Sequence, residues 1–144
     1  MAQVNASSSC IFCRIIRGEL PSSIVAQDDK VVAFLDINPV HPGHTLIVPK
    51  EHHENIIDTP AETMQAVIAM SKRVAQAIKV ELPCDGMNVS MNNFPASGQV
   101  VMHTHMHVIP RFDNDGLKPW PHRPYQEGQA KSIADRLTKC LLEK

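Results

Sequence analysis

The amino-acid sequence predicts an α+β domain in which one five-stranded antiparallel sheet carries two main helices. Two observations lead to this fold class. Five short runs rich in apolar and β-branched residues are separated mostly by turns, and two amphipathic segments do not alternate with them. With 144 residues, 43% of them hydrophobic, the chain has the length and apolar content of a single domain.

The N-terminal half should begin with a flexible tail and continue as one short helix and three strands. Residues 1–9 are small and polar, so we expect a frayed tail followed by a single domain over 10–144. Gly18 would end the short helix, and the polar turn that starts at Asp28 would join the first two strands. The predicted elements are a helix at 10–18 and strands at 24–27, 31–36 and 44–49.

The C-terminal half should hold the two main helices and the other two strands. Thr59, Pro60 and Glu62 have the spacing of a capping box, with proline at the first helical position. Apolar residues then recur at helical spacing, and they do so again near the C-terminus at Ala130, Ile133, Ala134, Leu137 and Leu141. The predicted elements are a helix at 60–80, strands at 87–92 and 99–110, an irregular segment at 113–128 and a final helix.

Composition limits the partners and the compartment that we expect. The net charge of −1 gives no electrostatic reason to expect binding to nucleic acid or to an acidic membrane surface. The first residues lack the apolar stretch of a secretion signal, and no apolar run is long enough to cross a bilayer. We therefore expect a soluble cytoplasmic protein with no nucleic-acid or membrane partner.

Three histidines at alternate positions near residue 105 are the most informative feature of the chain. His103, His105 and His107 lie in an apolar, β-favouring run, so on a strand they would project from one face. Two chemistries could use such a face. The three rings could bind one metal ion, although same-face neighbours lie about 6.5–7 Å apart on a strand, which makes three ligands from one strand awkward. Alternatively, a neutral imidazole could attack a phosphate while its neighbours donate hydrogen bonds to the phosphate oxygens.

These histidines and three further segments resemble the histidine triad (HIT) family of nucleotide hydrolases and transferases. The family signature is three histidines separated by single apolar residues, and here it reads HTHMHVI over 103–109. The resemblance also covers CIFCRIIRGELP at 10–21, FLDINPVHPGHTLIVPK at 34–50, and Asn92. It implies the HIT-like fold, a purine nucleotide as substrate and a homodimer.

The resemblance also implies roles for individual residues. His105 would be the nucleophile that attacks the α-phosphorus, and His107 would contact the phosphate. Asp36 would accept hydrogen bonds from the ribose hydroxyls, and the turn at Gly98 and Gln99 would bring backbone N–H groups to the phosphate. Asn92 corresponds to an amide residue of the family, and the base pocket would be lined by Phe12, Ile15, Phe34, Ile37 and Leu46.

Simpler interpretations of these residues remain open at this point. Asp36 could cap a turn, His107 could be a satisfied buried histidine, and the apolar residues of the base pocket could be ordinary core. Val100 departs from the family, because many members have serine or threonine there and their hydroxyl helps the leaving group to depart. Valine has no such proton to donate.

The cysteines suggest a metal site. Cys10 and Cys13 form a CxxC pair, which in a reducing compartment indicates metal binding or redox chemistry more than a disulfide, although two small buried residues would show the same spacing. Branches of the family with this pair use a histidine after the third strand and the first triad histidine as further ligands. The resemblance therefore implies a structural zinc site of Cys10, Cys13, His52 and His103, with no cofactor needed for the chemical step.

We expect a nucleotide phosphoramidate or phosphoester hydrolase that works through a nucleotidyl-histidine intermediate and releases a purine nucleoside monophosphate. The N-terminal segment and the 36–39 loop resemble the branch that contains nucleoside phosphoramidases, such as adenosine 5′-monophosphoramidase. Two alternatives remain: a dinucleoside polyphosphate hydrolase, and a zinc-stabilised nucleotide-binding or scaffold protein with vestigial activity.

Overall fold

The computed structural model describes residues 8–143, and these form a five-stranded antiparallel sheet with one long helix, one short helix and a C-terminal helix. Most of the tail expected at 1–9 lies outside the described residues. In chain order the elements are α1 (Ile11–Ile16), β1 (Ile24–Gln27), β2 (Val31–Leu35), β3 (Thr45–Pro49), α2 (Ala61–Glu81), β4 (Gly86–Ser90), a 3₁₀ turn (Pro95–Ser97), β5 (Met106–Arg111) and α3 (Gln129–Leu142).

The sheet has the strand order β1-β2-β3-β5-β4, and every neighbouring pair is antiparallel. Asp28 accepts hydrogen bonds from the N–H groups of Lys30 and Val31, both at 2.9 Å, and so closes the predicted turn between β1 and β2. β3 and β5 meet with Leu46 opposite His107. This register brings the end of the histidine motif beside the start of β3.

The two faces of the sheet carry separate clusters of buried side chains, as the alternation of the strand residues requires. Val31, Ala33 and Ile47 face the long helix α2 and pack with its buried residues Val67, Met70, Val74 and Ile78. The intervening residues Val32, Phe34, Leu46 and Val48 face the other way and pack with Phe12 of α1. The second face is covered by a helix of only six residues.

The long helix was predicted within one residue at each end, but its predicted cap is wrong. The N-cap residue is Pro60, and no side chain caps the helix. The hydroxyl of Thr59 instead donates to the carbonyl of Asn55 at 2.6 Å and lies 2.8 Å from the hydroxyl of Thr104. Glu62 forms an ion pair with Lys30 rather than turning back to the helix end.

The predicted strand at 99–110 is also wrong over its first half, since β5 begins only at Met106. Gly98 has a φ of +94°, and the backbone N–H of Thr104 donates to the carbonyl of His53 rather than to a neighbouring strand. His103 and His105 therefore precede the strand. The alternation of faces nevertheless persists, because His103 and His105 contact Phe12 while Met106 packs in the α2 cluster.

The C-terminal helix is present as predicted, but its apolar residues are not buried. Leu137, Leu141 and Leu142 are 60%, 75% and 82% exposed, and α3 contains no buried residue. The amphipathic pattern thus predicted the helix correctly, but the apolar face of the helix is not buried against any other element of residues 8–143. No helix in the described part of the chain is long and apolar enough to cross a membrane.

Candidate active site

A cleft of about 960 Å³ opens on the face of the sheet that α1 covers only partly. It is bounded by α1, the segment that leads into β1, the ends of β2 and β3, and the loop before the histidines. Eight of the nine residues predicted to bind the nucleotide line it: Phe12, Ile15, Phe34, Asp36, Ile37, Leu46, Asn92 and Gly98, together with His105 and His107. Phe12, Phe34 and Leu46 also belong to a buried cluster, so they are core residues and cleft floor at once.

His105 is held in one tautomer by the backbone. Its Nδ1 lies 2.6 Å from the carbonyl oxygen of His103, so Nδ1 carries the proton and donates it. Nε2 then keeps its lone pair, which is the state needed for nucleophilic attack. Burial lowers the pKa of His105, against the opposing effect of this hydrogen bond. The ring is therefore neutral at neutral pH.

His107 is oriented by His44, a residue that the sequence reasoning did not single out. The N–H of Val40 donates to Nδ1 of His44 at 3.1 Å, so the proton of His44 is on Nε2. That Nε2 lies 2.9 Å from Nδ1 of His107, which must accept. His107 thus carries its proton on Nε2, and within residues 8–143 this atom has no hydrogen-bond partner. Burial lowers the pKa of His107 to about 4, and the neighbouring rings of His105 and His44 act in the same direction.

Asp36 closes a turn with one carboxylate oxygen and faces the cleft with the other. One carboxylate oxygen, Oδ1, accepts the N–H of Asn38 at 2.9 Å and so stabilises the turn after β2. The other oxygen, Oδ2, lies 3.6 Å from Nε2 of His44, and the side chain is 19% exposed. The carboxylate therefore closes a turn and also faces the cleft with one oxygen that remains available to a ligand.

The side chain of Gln99 stabilises the loop from Phe94 to Val101 through hydrogen bonds to the backbone. The carboxamide of Gln99 accepts the N–H of Phe94 at 2.7 Å and donates to the carbonyls of Glu54 and Val101 at 2.6 and 3.1 Å. The backbone N–H groups of Gly98 and Gln99 are bonded within the turn, to the carbonyls of Pro95 and Phe94. Gln99 is the one predicted nucleotide residue that does not line the cleft.

The four predicted metal ligands lie together, and His103 is one of them. The ligand atoms of Cys10, Cys13, His52 and His103 are all within 4.8 Å of one another. Nδ1 of His52 and Nδ1 of His103 are 3.2 Å apart, and the sulfur of Cys13 is 3.3 and 3.6 Å from these two nitrogens. A tetrahedral zinc ion with its usual bond lengths sets its nitrogen ligands about 3.3 Å apart, so the spacing fits.

The orientation of His103 supports the same interpretation. Its Nε2 lies 2.8 Å from the carbonyl oxygen of Pro49 and donates to it, which leaves the lone pair of Nδ1 directed at the cysteines and His52. Burial lowers the pKa of His103 to about 4, so the ring is neutral as a metal ligand must be. The adjacent His53 lies outside this group, and its Nε2 is 3.7 Å from a carboxylate oxygen of Glu51.

Sequence reasoning missed residues whose position depends on the register of the sheet. His44 reaches His107 because Leu46 pairs with His107 across the two strands. Its neighbour Gly43 has a φ of +96°, and a Cβ there would lie 2.4 Å from a side-chain carbon of Leu82. The signal available in the sequence was a fourth histidine directly before a strand. Leu20, Pro21, Ser22 and Ser23 also line the cleft without having been predicted.

Comparison with known proteins agrees with this fold. The HIT domain model matches residues 17–114. An uncharacterized HIT-like protein of Methanocaldococcus jannaschii is 46% identical over 107 residues, which cover 74% of this chain and 82% of that protein. The adenylylsulfatase HINT3 of Arabidopsis thaliana is 40% identical over 136 residues, covering 93% of this chain and 68% of that protein.

Solved structures give the same result. A HIT-family protein from Bacillus subtilis superposes with a TM-score of 0.85 at 38% identity, over 92% of this chain and 96% of that one. A zinc-bound histidine triad protein from Mycobacterium smegmatis superposes with a TM-score of 0.74 at 34% identity, over 94% and 98% of the two chains. The chain belongs to the HIT family and has its nucleotide-binding fold.

Proposed function

We propose that the protein is a nucleotide phosphoramidate or phosphoester hydrolase that releases a purine nucleoside monophosphate through a nucleotidyl-histidine intermediate. The observation that carries this proposal is the pair of histidine tautomers in the cleft. His105 presents a lone pair on Nε2, and His107 presents a buried N–H with no partner in the described chain. One ring is thus prepared to attack phosphorus and the next to stabilise the oxygens of the transition state.

The reaction would proceed in two displacements at phosphorus. Nε2 of His105 forms a bond to the α-phosphorus while the bond to the leaving group breaks, and positive charge on the ring is stabilised by the carbonyl of His103 that accepts its Nδ1 proton. The N–H of His107 donates to a phosphate oxygen. Water then attacks phosphorus, the bond to His105 breaks, and the nucleoside monophosphate is released with a neutral imidazole restored.

The remaining cleft residues would hold the nucleoside. Oδ2 of Asp36 would accept a ribose hydroxyl, and Phe12, Ile15 and Phe34 would contact the flat faces of the base. Such apolar contacts recognise a ring system and not a pattern of hydrogen bonds. This arrangement favours the large purine ring over a pyrimidine through contact area.

We also propose that Cys10, Cys13, His52 and His103 hold a zinc ion with a structural role. Two thiolates and two imidazoles form a complete tetrahedral set with no open position, so the ion would support folding and would not activate water. The zinc-bound structure of the relative from Mycobacterium smegmatis supports the choice of metal. A homodimer, as the family resemblance implies, is part of the same proposal.

Two other functions remain candidates, a dinucleoside polyphosphate hydrolase and a zinc-stabilised nucleotide-binding or scaffold protein with vestigial activity. The Arabidopsis relative is named an adenylylsulfatase, which indicates cleavage of an adenylate joined to sulfate, whereas a dinucleoside polyphosphate hydrolase would release a nucleotide as leaving group. A zinc-stabilised nucleotide-binding protein with vestigial activity would hold the nucleotide and turn over any substrate only very slowly. The proposed function and the polyphosphate hydrolase thus differ in the leaving group that they accept, and the binding protein differs from both in its low turnover.

The proposal is tested by measuring release of AMP from adenosine 5′-phosphoramidate, with diadenosine polyphosphates as the comparison. We expect His105→Ala to lose at least about a thousandfold in kcat, since the covalent step has no other nucleophile. AMP affinity should stay within about tenfold. His122→Ala removes an exposed histidine of the 113–128 segment and serves as the control. Near-normal turnover by His105→Ala would refute the assignment of the nucleophile. Mass spectrometry of enzyme quenched with denaturant at alkaline pH, where a bond between phosphorus and histidine survives, checks for the adenylyl adduct.

A further inference from the structure

Within residues 8–143, the lining of the cleft provides no lysine or arginine to match an anionic leaving group. Among these described lining residues, Asp36 supplies the one carboxylate. A substrate that carries negative charge beyond its reacting phosphate would therefore find repulsion and no compensating charge.

Val100 adds an apolar surface at the same place. Its side chain is 88% exposed, and it lines the cleft together with Gly98, Val101 and the two catalytic histidines. An exposed valine beside a reactive centre gains from contact with an apolar group, because that contact removes hydrocarbon surface from water. It gives nothing to a carboxylate or a phosphate, which would lose hydration on approaching it.

We propose that Val100 forms a leaving-group subsite that selects apolar amines and excludes anionic leaving groups. The preferred substrate is then a nucleoside monophosphate joined through a P–N bond to an amine with an alkyl or aryl substituent. Leaving groups that bear a carboxylate or further phosphates are poor substrates, dinucleoside polyphosphates among them. This inference rests on the proposed function, since it names the part of the substrate that leaves.

The proposed reaction does not require residue 100 to donate a proton to the leaving group. The bond from Nε2 of His105 to phosphorus forms, the P–N bond breaks, and its electron pair stays on the leaving nitrogen. That nitrogen takes its proton from solvent, which reaches the exposed Val100 side of the cleft. Hydrolysis of the histidine adduct by water completes the reaction, so that nucleotide amidate and water give nucleoside monophosphate and free amine.

The test uses two substrates that share the same reacting bond and differ in the charge of the leaving amine. These are the adenosine 5′-phosphoramidates of benzylamine and of β-alanine, the second of which carries a carboxylate. We expect the unaltered protein to favour the benzylamine compound at least about fivefold in kcat/KM. Val100→Lys, which places a cation at the subsite, should shift this ratio about fivefold towards the β-alanine compound, equivalent to an exposed ion pair of up to about 1 kcal/mol.

A matched control separates a local charge from a change in the charge of the whole protein. Val80 is 81% exposed on α2, on the opposite face of the sheet, so Val80→Lys makes the same substitution away from the cleft. Its substrate ratio should be that of the unaltered protein. Added salt should reduce the shift caused by Val100→Lys, because screening weakens an exposed charge pair.

The outcomes distinguish this inference from the proposed function. Equal turnover of both compounds, with a ratio that Val100→Lys does not change, would overturn the subsite while leaving the hydrolase intact. The same shift in Val80→Lys as in Val100→Lys would also overturn it. If neither compound releases AMP and no adduct forms on His105, the proposed function itself fails and the subsite with it.

Discussion

Replacing Asp36 by asparagine should weaken ribonucleotide binding while leaving the loop that carries it intact. Oδ1 of Asp36 accepts the N–H of Asn38 at 2.9 Å, and the amide oxygen of asparagine can take over this bond. The position of Oδ2 would then hold an NH₂ group, which cannot accept a ribose hydroxyl. The substitution thus removes the ligand acceptor without removing the turn.

The expected magnitude follows from the number of oxygens left for the ligand. Since Oδ1 already serves the turn, one charged hydrogen bond to the ribose is lost and not two. A hydrogen bond to a charged group is worth about 1.5–3 kcal/mol, which corresponds to a roughly 10- to 150-fold weaker Kd. Removing a carboxylate also relieves repulsion of the phosphate, but this effect is the same for any nucleoside monophosphate.

The assay is therefore a ratio of two affinities measured by calorimetry. The Kd values of AMP and of 2′,3′-dideoxy-AMP are measured for the unaltered protein and for Asp36→Asn. The substitution should weaken AMP binding more than it weakens binding of the dideoxy compound. Asp29→Asn, an exposed aspartate in the turn between β1 and β2, controls for the change in net charge. A ratio that Asp36→Asn leaves unchanged would refute recognition of the ribose by this carboxylate.

Two further predictions concern stability. Cys13→Ser should release zinc and lower the Tm of zinc-loaded protein by roughly 10 °C, because an ion present at about a thousand times its Kd contributes about 4 kcal/mol. Elemental analysis measures the zinc content. Cys84→Ser alters a buried cysteine outside the metal group and should leave the zinc content unchanged. The free energy of unfolding should fall as pH is lowered from about 7.5 to 5, because burial holds the pKa of His107 at about 4 while the unfolded chain takes up that proton near 6.5. Denaturant titrations at both pH values check this, His107→Asn should reduce the difference, and a pH-independent midpoint would contradict it.

The strands and the long helix could be predicted because their signals are local. Alternating apolar residues and turn-forming residues mark β1, β2 and β3 within one or two residues of their observed ends, and helical spacing marks α2 equally well. The segment at 99–105 could not be predicted in this way. Its backbone is bonded to distant residues, as in the bond from Thr104 to His53, and the same alternation of side chains occurs in an extended segment that has no partner strand.

Part of the candidate site could be predicted from residue identity together with the family resemblance. These predicted a metal group of Cys10, Cys13, His52 and His103, and the fold brings the ligand atoms of that group within 4.8 Å of one another. The assignment of His105 as the nucleophile stays a prediction. His44 was not predictable, because its contact with His107 requires the register between β3 and β5. The hydroxyl of Thr59 shows the same limit, since its partner Thr104 lies 45 residues further along the chain.

The two faces of the sheet are covered unequally, and the packing of the main core and the proposed catalytic groups lie on different faces. The 21-residue helix α2 and the buried strand residues that face it contain none of the proposed catalytic or metal-binding groups, whereas every one of those groups lies on the face that α1 covers with six residues. A helix of under two turns has little stability of its own, so the face proposed to bind substrate depends on Phe12 and on the proposed metal group to hold α1 in place. Protein engineers can therefore treat the two sides independently. Substitutions that improve packing beneath α2 would raise tolerance to heat, and the gain could then offset destabilising changes made in the cleft to accept new substrates.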